Sequence, residues 1–243
     1  MSALNTALNL LKAFTPEKPS WGVRELSQWS GISSSTVQRV LATYCHQGLM
    51  RQNAVTRHYE IGIGFWHYGM LFRQHLRLDT LIAETVKNLA EKSGETAYCS
   101  MPDGEAAICV QLTESRQDIV IAIRLGERTP LHLGSRGKAI LAWLPDERRR
   151  AIIAERVTDP ARRLDLEEQF SQLRQCGWIV SRGERLPNIT GISVPLLKAT
   201  GEIFASLTIG GPSYRMSEQK VADCLPLLQH AKAQLELTLS HLE

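Results

Sequence analysis

Between residues 22 and 63 two short amphipathic helical patterns are separated by a glycine and three consecutive serines, and a β-prone hairpin pattern follows at once. That succession constrains the fold more than anything else in the chain. Val23, Leu26 and Trp29 form the apolar side of a helix that stops at Gly31, a residue that accepts positive φ without a Cβ clash. Ser33, Ser34 and Ser35 offer oxygens to cap the next helix, whose core side is Val37, Val40, Leu41 and Tyr44 and whose end is Gly48. Residues 49–52 and 58–61 then read as strands around a polar turn at 53–57. Upstream, Leu4, Leu8, Leu11 and Phe14 recur at steps of three and four and mark a first helix closed by Pro16 and Pro19. The order is helix, helix, turn, helix, wing: a winged helix-turn-helix over residues 1–70.

A helix held out by a tight turn can enter the major groove, about 12 Å wide, where base edges carry a distinguishable pattern of donors and acceptors. Its outward residues must then be polar. Ser33, Ser34, Thr36, Gln38 and Arg39 lie off the apolar stripe, and Gln38 and Arg39 have the reach for purine edges or phosphate. Capping and internal pairing are the competing uses: Ser35 is read as a cap, and Arg39 has Glu25 as an alternative partner. At the hairpin, Arg57 and His58 suit a phosphate or minor-groove contact. Charge supports this placement. Residues 1–75 hold seven Lys or Arg against three Asp or Glu, whereas the remainder holds 21 against 22.

Phe65, Trp66, Tyr68, Leu71 and Phe72 lead into a second apolar pattern that ends at Gly94, so residues 71–94 read as a rigid linker helix with apolar surface left for a partner. Beyond it, strand-like runs at 96–101 and 106–112 flank Pro102-Asp103-Gly104, a hairpin turn. A further strand is expected at 119–124. Helices are expected around 138–144, 146–155 and 166–176, strands at 178–181, 192–197 and 203–209, and a last helix over about 217–242. Strands, then helices, then strands make residues 95–243 an α+β domain with an antiparallel sheet.

No apolar run approaches the roughly 18 residues of a membrane span, and the first nine residues lack the features of a signal peptide, so a cytoplasmic protein without a membrane partner is expected. The five cysteines are scattered and form no C-x-x-C pair, which points to reduced thiols and no metal. Enzyme signatures are missing as well. A phosphate loop needs Gly at 132 and Ser or Thr at 139, where the chain has His132 and Ala139. There is no G-x-S-x-G elbow and no H-E-x-x-H, so no catalytic residue and no cofactor are assigned. A cryptic hydrolase using His132 or a cysteine is the alternative reading.

Taken together, GISSSTVQRVLATYCHQGLM at 31–50, YEIGIGFWHYG at 59–69, LHLGSRGKAILAWLP at 131–145, CGWIVSRGE at 176–184 and GISVPLLKATGEIFASLTIGGPSYRMS at 191–217 give the whole chain a family likeness. It resembles the IclR family of bacterial transcriptional regulators. The resemblance implies a GAF-like effector-binding domain, effector-controlled binding to a double-stranded DNA operator, and a homodimer or dimer of dimers. It also implies effector contacts at Ser135, Arg136, Ser181, Ile189, Gly191, Thr208 and Gly210, among which Ser181, Gly191 and Gly210 depart from the side chains of relatives. Residues 134–137 open a helix, so free amides, the positive dipole end and Arg136 are expected to receive a small carboxylate.

Overall fold

The computed structural model describes residues 2–75 and 78–241, and the chain divides into two units, Met1–Arg77 and Leu78–Glu243. In the first, α1 (Ala3–Leu11) starts at Ser2, whose hydroxyl accepts from the Asn5 amide, and ends a turn before the prolines expected to close it. A short strand β1 (Ser20–Trp21) follows, which sequence periodicity did not reveal: two residues are too few to show alternation. Helix α2 (Val23–Ser30) begins at Gly22, whose amide donates to the Glu25 carboxylate at 3.1 Å, and ends at Gly31 with φ 68°. Helix α3 (Ser34–His46) starts after Ser33, so Ser35, the expected cap, lies inside the first turn. Strands β2 (Met50–Gln52) and β3 (Tyr59–Ile61) form the hairpin of a three-stranded antiparallel sheet ordered β1-β3-β2.

Leu10, Trp21, Leu26, Val37, Leu41, Tyr44, Met50 and Tyr59 make the core of this unit. Trp29 does not join it. The indole is half exposed and tilts against Trp21 with centroids 5.8 Å apart. Helix α4 (Gly64–His75) closes the unit and leaves Trp66, Tyr68, Leu71 and Phe72 exposed.

The single helix expected over 71–94 is two. Residues 76–77 lie outside the described residues, Leu78 is not helical, and α5 (Asp79–Ser93) belongs to the second unit. It ends at Gly94 and buries Ile82, Val86, Leu89 and Ala90, so it supplies core rather than spare surface. The hairpin of β4 (Thr96–Asp103) and β5 (Ala106–Thr113) forms as expected, followed by β6 (Arg128–Pro130). Helices α6 (Gly134–Leu141), α7 (Asp146–Arg156) and α8 (Pro160–Cys176) precede β7 (Ile179–Arg182), β8 (Ile189–Leu197) and β9 (Ile203–Pro212). Helix α9 (Glu218–Ser240) is capped by Ser217, which accepts from the Lys220 amide.

The six strands form one antiparallel sheet, β6-β5-β4-β9-β8-β7. Strand alternation sorts its two faces. Ala97, Cys99, Ile192, Val194, Leu196, Ala205, Leu207 and Ile209 meet α5 and α9 in one core. On the other face lie Tyr98, Ser193 and Thr208, and α6 packs over β7, β8 and β9. Residues 119–124, expected as a strand, join no ladder: β6 takes the place beside β5, while Ile121 and Ile123 turn inward and Ile119 and Val120 stay exposed. The alternation was real, but it records burial against a cleft, not pairing. The three-residue β6 ends in a proline at the sheet edge and carries almost no strand signal. No helix among the described residues is long and apolar enough to cross a membrane.

Candidate functional site

The residues expected to face DNA lie at the start and around the outer side of α3. Ser33, Ser34, Gln38 and Arg39 are exposed and Thr36 is half-buried. Ser33 sits at the N-cap position but its hydroxyl donates to Thr36 at 3.0 Å instead of capping an amide. Gln38 donates to the Tyr59 hydroxyl at 3.0 Å, which ties the helix to the wing and fixes the amide's orientation. Glu25, the alternative partner of Arg39, is engaged by Lys18 at 3.4 Å and by Gly22, and these contacts hold its carboxyl below the usual range, the Gly22 hydrogen bond most of all. In the wing, Arg57 adopts φ 60° and its carbonyl accepts from Gln52 at 2.8 Å, so the backbone turn aims its exposed side chain outward. His58 does not share the tip: its ring lies against Gly22 at the start of α2. Val55 stands fully out at the tip, which an apolar residue in a polar turn could have signalled.

The second unit has a cleft between the start of α6, the ends of β7 and β8, and the segment carrying Ile121 and Ile123. Ser135, Arg136, Ser181, Ile189 and Gly191 line it, together with Tyr98, Gly134, Arg185 and Leu186. Thr208 and Gly210 do not line it. They lie behind the wall, Thr208 bonded to Ser193 at 2.8 Å and Gly210 beneath Ile121. The first two α6 amides are not free, contrary to expectation. The Gly134 amide donates to Glu184 at 3.3 Å and the Ser135 amide to the Ser181 hydroxyl at 2.8 Å, leaving the anion-binding part of the helix start occupied by the chain's own oxygens. Ser193 donates to Ser135 at 2.8 Å, so hydroxyls from α6, β8 and β9 form one chain under the cleft, joined to the β7 hydroxyl through the Ser135 amide.

Arg136 is the residue this packing leaves incomplete. It is 2% exposed, its Nη2 donates to Glu127 at 3.0 Å, and its Nε and Nη1 are buried without a partner. Its guanidinium carbon stands 5.6 Å from the Tyr98 ring centroid, within cation–π range. Burial pushes the Tyr98 phenol up to about 12, the Arg136 and Arg185 charges opposing it, so this ring stays neutral and serves as an aromatic wall. Arg185 donates to the same Glu127 oxygen. The cleft encloses only about 30 Å³, room for a water molecule and not for an acid without movement of its walls. Tyr98, Arg185 and Glu127 escaped the sequence reading: Tyr98 sits in an unbroken apolar strand, and the two charged residues look like solvated loop positions. His132, the alternative nucleophile or base, is held below its usual range by burial and by the Arg156 and Arg162 charges, and its Nδ1 has no partner.

A winged helix-turn-helix followed by an α+β unit with a charged cleft defines a DNA-binding transcriptional regulator with an effector-binding domain. The family model for the bacterial transcriptional regulator IclR C-terminal domain matches residues 71–237, and that for the IclR helix-turn-helix domain matches residues 3–54. The chain belongs to the IclR family, whose members regulate transcription and are not enzymes. It is 28% identical to the HTH-type transcriptional regulator BhcR of Paracoccus denitrificans, over 90% of this chain and 81% of that protein. Its fold is similar to a putative IclR transcriptional regulator of Silicibacter sp. TM1040, with a TM-score of 0.88 at 21% identity over 98% and 96% of the two chains. It is also similar to an IclR homologue of Microbacterium hydrocarbonoxydans complexed with 4-hydroxybenzoate, with a TM-score of 0.83 at 17% identity over 100% of both chains.

Proposed function

We propose that this regulator senses a small organic acid whose carboxylate is held by Arg136, and that it reads its operator as a homodimer or dimer of dimers through α3 and the wing. The observation that carries the acid is the buried Arg136 guanidinium with two unpartnered nitrogens at a cleft. An unpaired buried donor is unfavourable, more so when charged, and an anionic ligand relieves that penalty. Tyr98, Ile121, Ile123, Leu186 and Ile189 give the rest of the cleft an apolar, partly aromatic lining suited to a short or aromatic acid. The 4-hydroxybenzoate bound by the Microbacterium homologue is of this chemistry. Because the cleft is nearly closed, binding must move its walls, and a ligand that favours one arrangement of them shifts the population toward it.

The experiment is a thermal-shift screen of the full chain against small aliphatic and aromatic acids, followed by calorimetry on the strongest hit. Arg136→Ala is expected to weaken that acid tenfold to thirtyfold, about 1.4 to 2 kcal/mol for a charge-assisted hydrogen bond, with effector-free operator affinity unchanged. Equal affinity in wild type and variant would remove the carboxylate site.

On the DNA side, one short helix reads too few bases for genomic specificity, and α4 exposes Tyr68, Leu71 and Phe72, at i, i+3 and i+4, as an apolar face for a second copy. Footprinting is expected to show two protected half-sites separated by whole helical turns, and Arg39→Ala to lower affinity at both by about 1 to 2 kcal/mol. A single protected half-site, or an undiminished footprint in the variant, counts against this arrangement.

A further inference from the structure

We infer that Glu127 is a built-in carboxylate occupying the effector's place, so that an acid enters this cleft by exchange with Glu127 and not by filling a vacant site. This rests on the reading of the cleft as an acid site. Glu127 is the residue that both cleft guanidiniums share: one carboxylate oxygen accepts from Arg136 Nη2 and from Arg185, and the other accepts from the Arg124 amide at 3.1 Å. Two guanidiniums and a backbone amide are the donor set an incoming carboxylate would need. Glu127 already takes Arg136 Nη2, Arg185 and that amide, and leaves only Arg136 Nε and Nη1 for a ligand to gain.

Glu127 is also placed to leave. Its backbone is pinned to β5, with the Cys109 amide donating to the Glu127 carbonyl at 3.0 Å and the Gly126 amide to the Cys109 carbonyl at 2.7 Å. The side chain is about one-quarter exposed, as is that of Arg185, so it can swing outward while the backbone stays. Arg136 cannot follow it, being buried on α6. Exchange keeps the local charge constant, since one monoanion replaces another beside two cations, whereas adding an acid to the occupied site would bring two carboxylates together. The internal competitor lowers apparent affinity for every monocarboxylate by the fraction of time it occupies the site. It thereby sets the concentration at which the regulator responds, without touching the ligand's other contacts.

Chemical rescue tests this. Glu127→Ala removes the Cγ and carboxylate of the side chain, the four heavy atoms of acetate. Melting of the full-length protein is compared in about 100 mM sodium acetate and in sodium chloride of equal ionic strength. Acetate is expected to raise the melting temperature of Glu127→Ala by about 5 °C more than that of wild type. Glu127→Gln, which keeps the shape and loses the charge, is expected to show the same preference in smaller measure and serves if the alanine variant does not fold. The extra shift should vanish in Glu127→Ala/Arg136→Ala. Equal acetate shifts in wild type and both single variants overturn the exchange, while leaving the acid reading standing if Arg136→Ala still weakens the screened acid. An acetate shift that survives in the double variant overturns both, because the anion then binds elsewhere.

Discussion

Arg215→Ala is expected to destabilise the effector-binding unit by about 3 to 4 kcal/mol, the largest single loss among its polar contacts. Glu95 lies between the end of α5 and β4 and is 3% exposed. Arg215 holds it with two parallel hydrogen bonds, Nε to one oxygen at 2.7 Å and Nη2 to the other at 2.9 Å, and this carboxylate drives the guanidinium still further above its ordinary value. Arg215 is itself partly solvated, so the pair's net contribution is modest. What is costly is the Glu95 carboxylate left buried without its cation. Glu95→Gln/Arg215→Ala should therefore recover part of the loss. Chemical denaturation reads both, and an Arg215→Ala variant within about 0.5 kcal/mol of wild type would show that Glu95 is not strained by isolation. The same guanidinium donates to the Ile119 carbonyl at 2.9 Å, which anchors the segment that brings Ile121 and Ile123 over the cleft. Effector binding should weaken along with stability.

The Glu95 pair also explains a glycine whose role the sequence alone leaves open. A Cβ on Gly211 would strike the Glu95 carboxylate, so the second glycine of the Gly210-Gly211-Pro212 run is the space the ion pair occupies. This is the general pattern of what could be read. The winged helix-turn-helix was legible because its signals are local: Gly31, Gly48 and the 33–35 serines stand where the chain turns, and Val37 and Leu41 repeat at helical spacing. The fold class of the second unit was legible for the same reason. Pairings across tens of residues leave no such trace. The Ser135 amide finds Ser181 and the Gly134 amide finds Glu184, so a helix start that looks open in one dimension is filled in three. Ser135, Arg136, Ser181, Ile189 and Gly191, expected only from the family likeness, line one cleft. Tyr98, Glu127 and Arg185 come to them from strands and loops whose composition says only apolar strand or surface charge.

Gly137→Ala separates local propensity from tertiary packing. Propensity alone favours the alanine, by about 1 kcal/mol in a helix interior. The structure reverses the sign. A Cβ at position 137 would stand 2.8 Å from the carbonyl oxygens of both Pro130 and Leu131, closer than a carbon and a carbonyl oxygen tolerate. Both obstacles are backbone, in the turn that leads from β6 into α6, so neither can rotate aside. Helix α6 has no room to retreat, because its other side packs on β7, β8 and β9. Overpacking of this kind costs about 1 to 3 kcal/mol on top of the propensity it cancels, and we expect a net loss of about 2 to 3 kcal/mol, or roughly 5 to 10 °C in melting temperature for a unit of this size. Gly134→Ala is the matched comparison: its φ of 71° is strained for any side chain, yet no backbone atom lies within 4 Å of the added carbon, so about 1 kcal/mol is expected. Since Arg136 directly precedes Gly137, any shift of α6 that relieves the clash also displaces its guanidinium relative to Glu127. Thermal melting and acid titration should therefore fall together in Gly137→Ala, and a variant that melts higher than wild type would show that the turn before α6 yields to the helix rather than holding it.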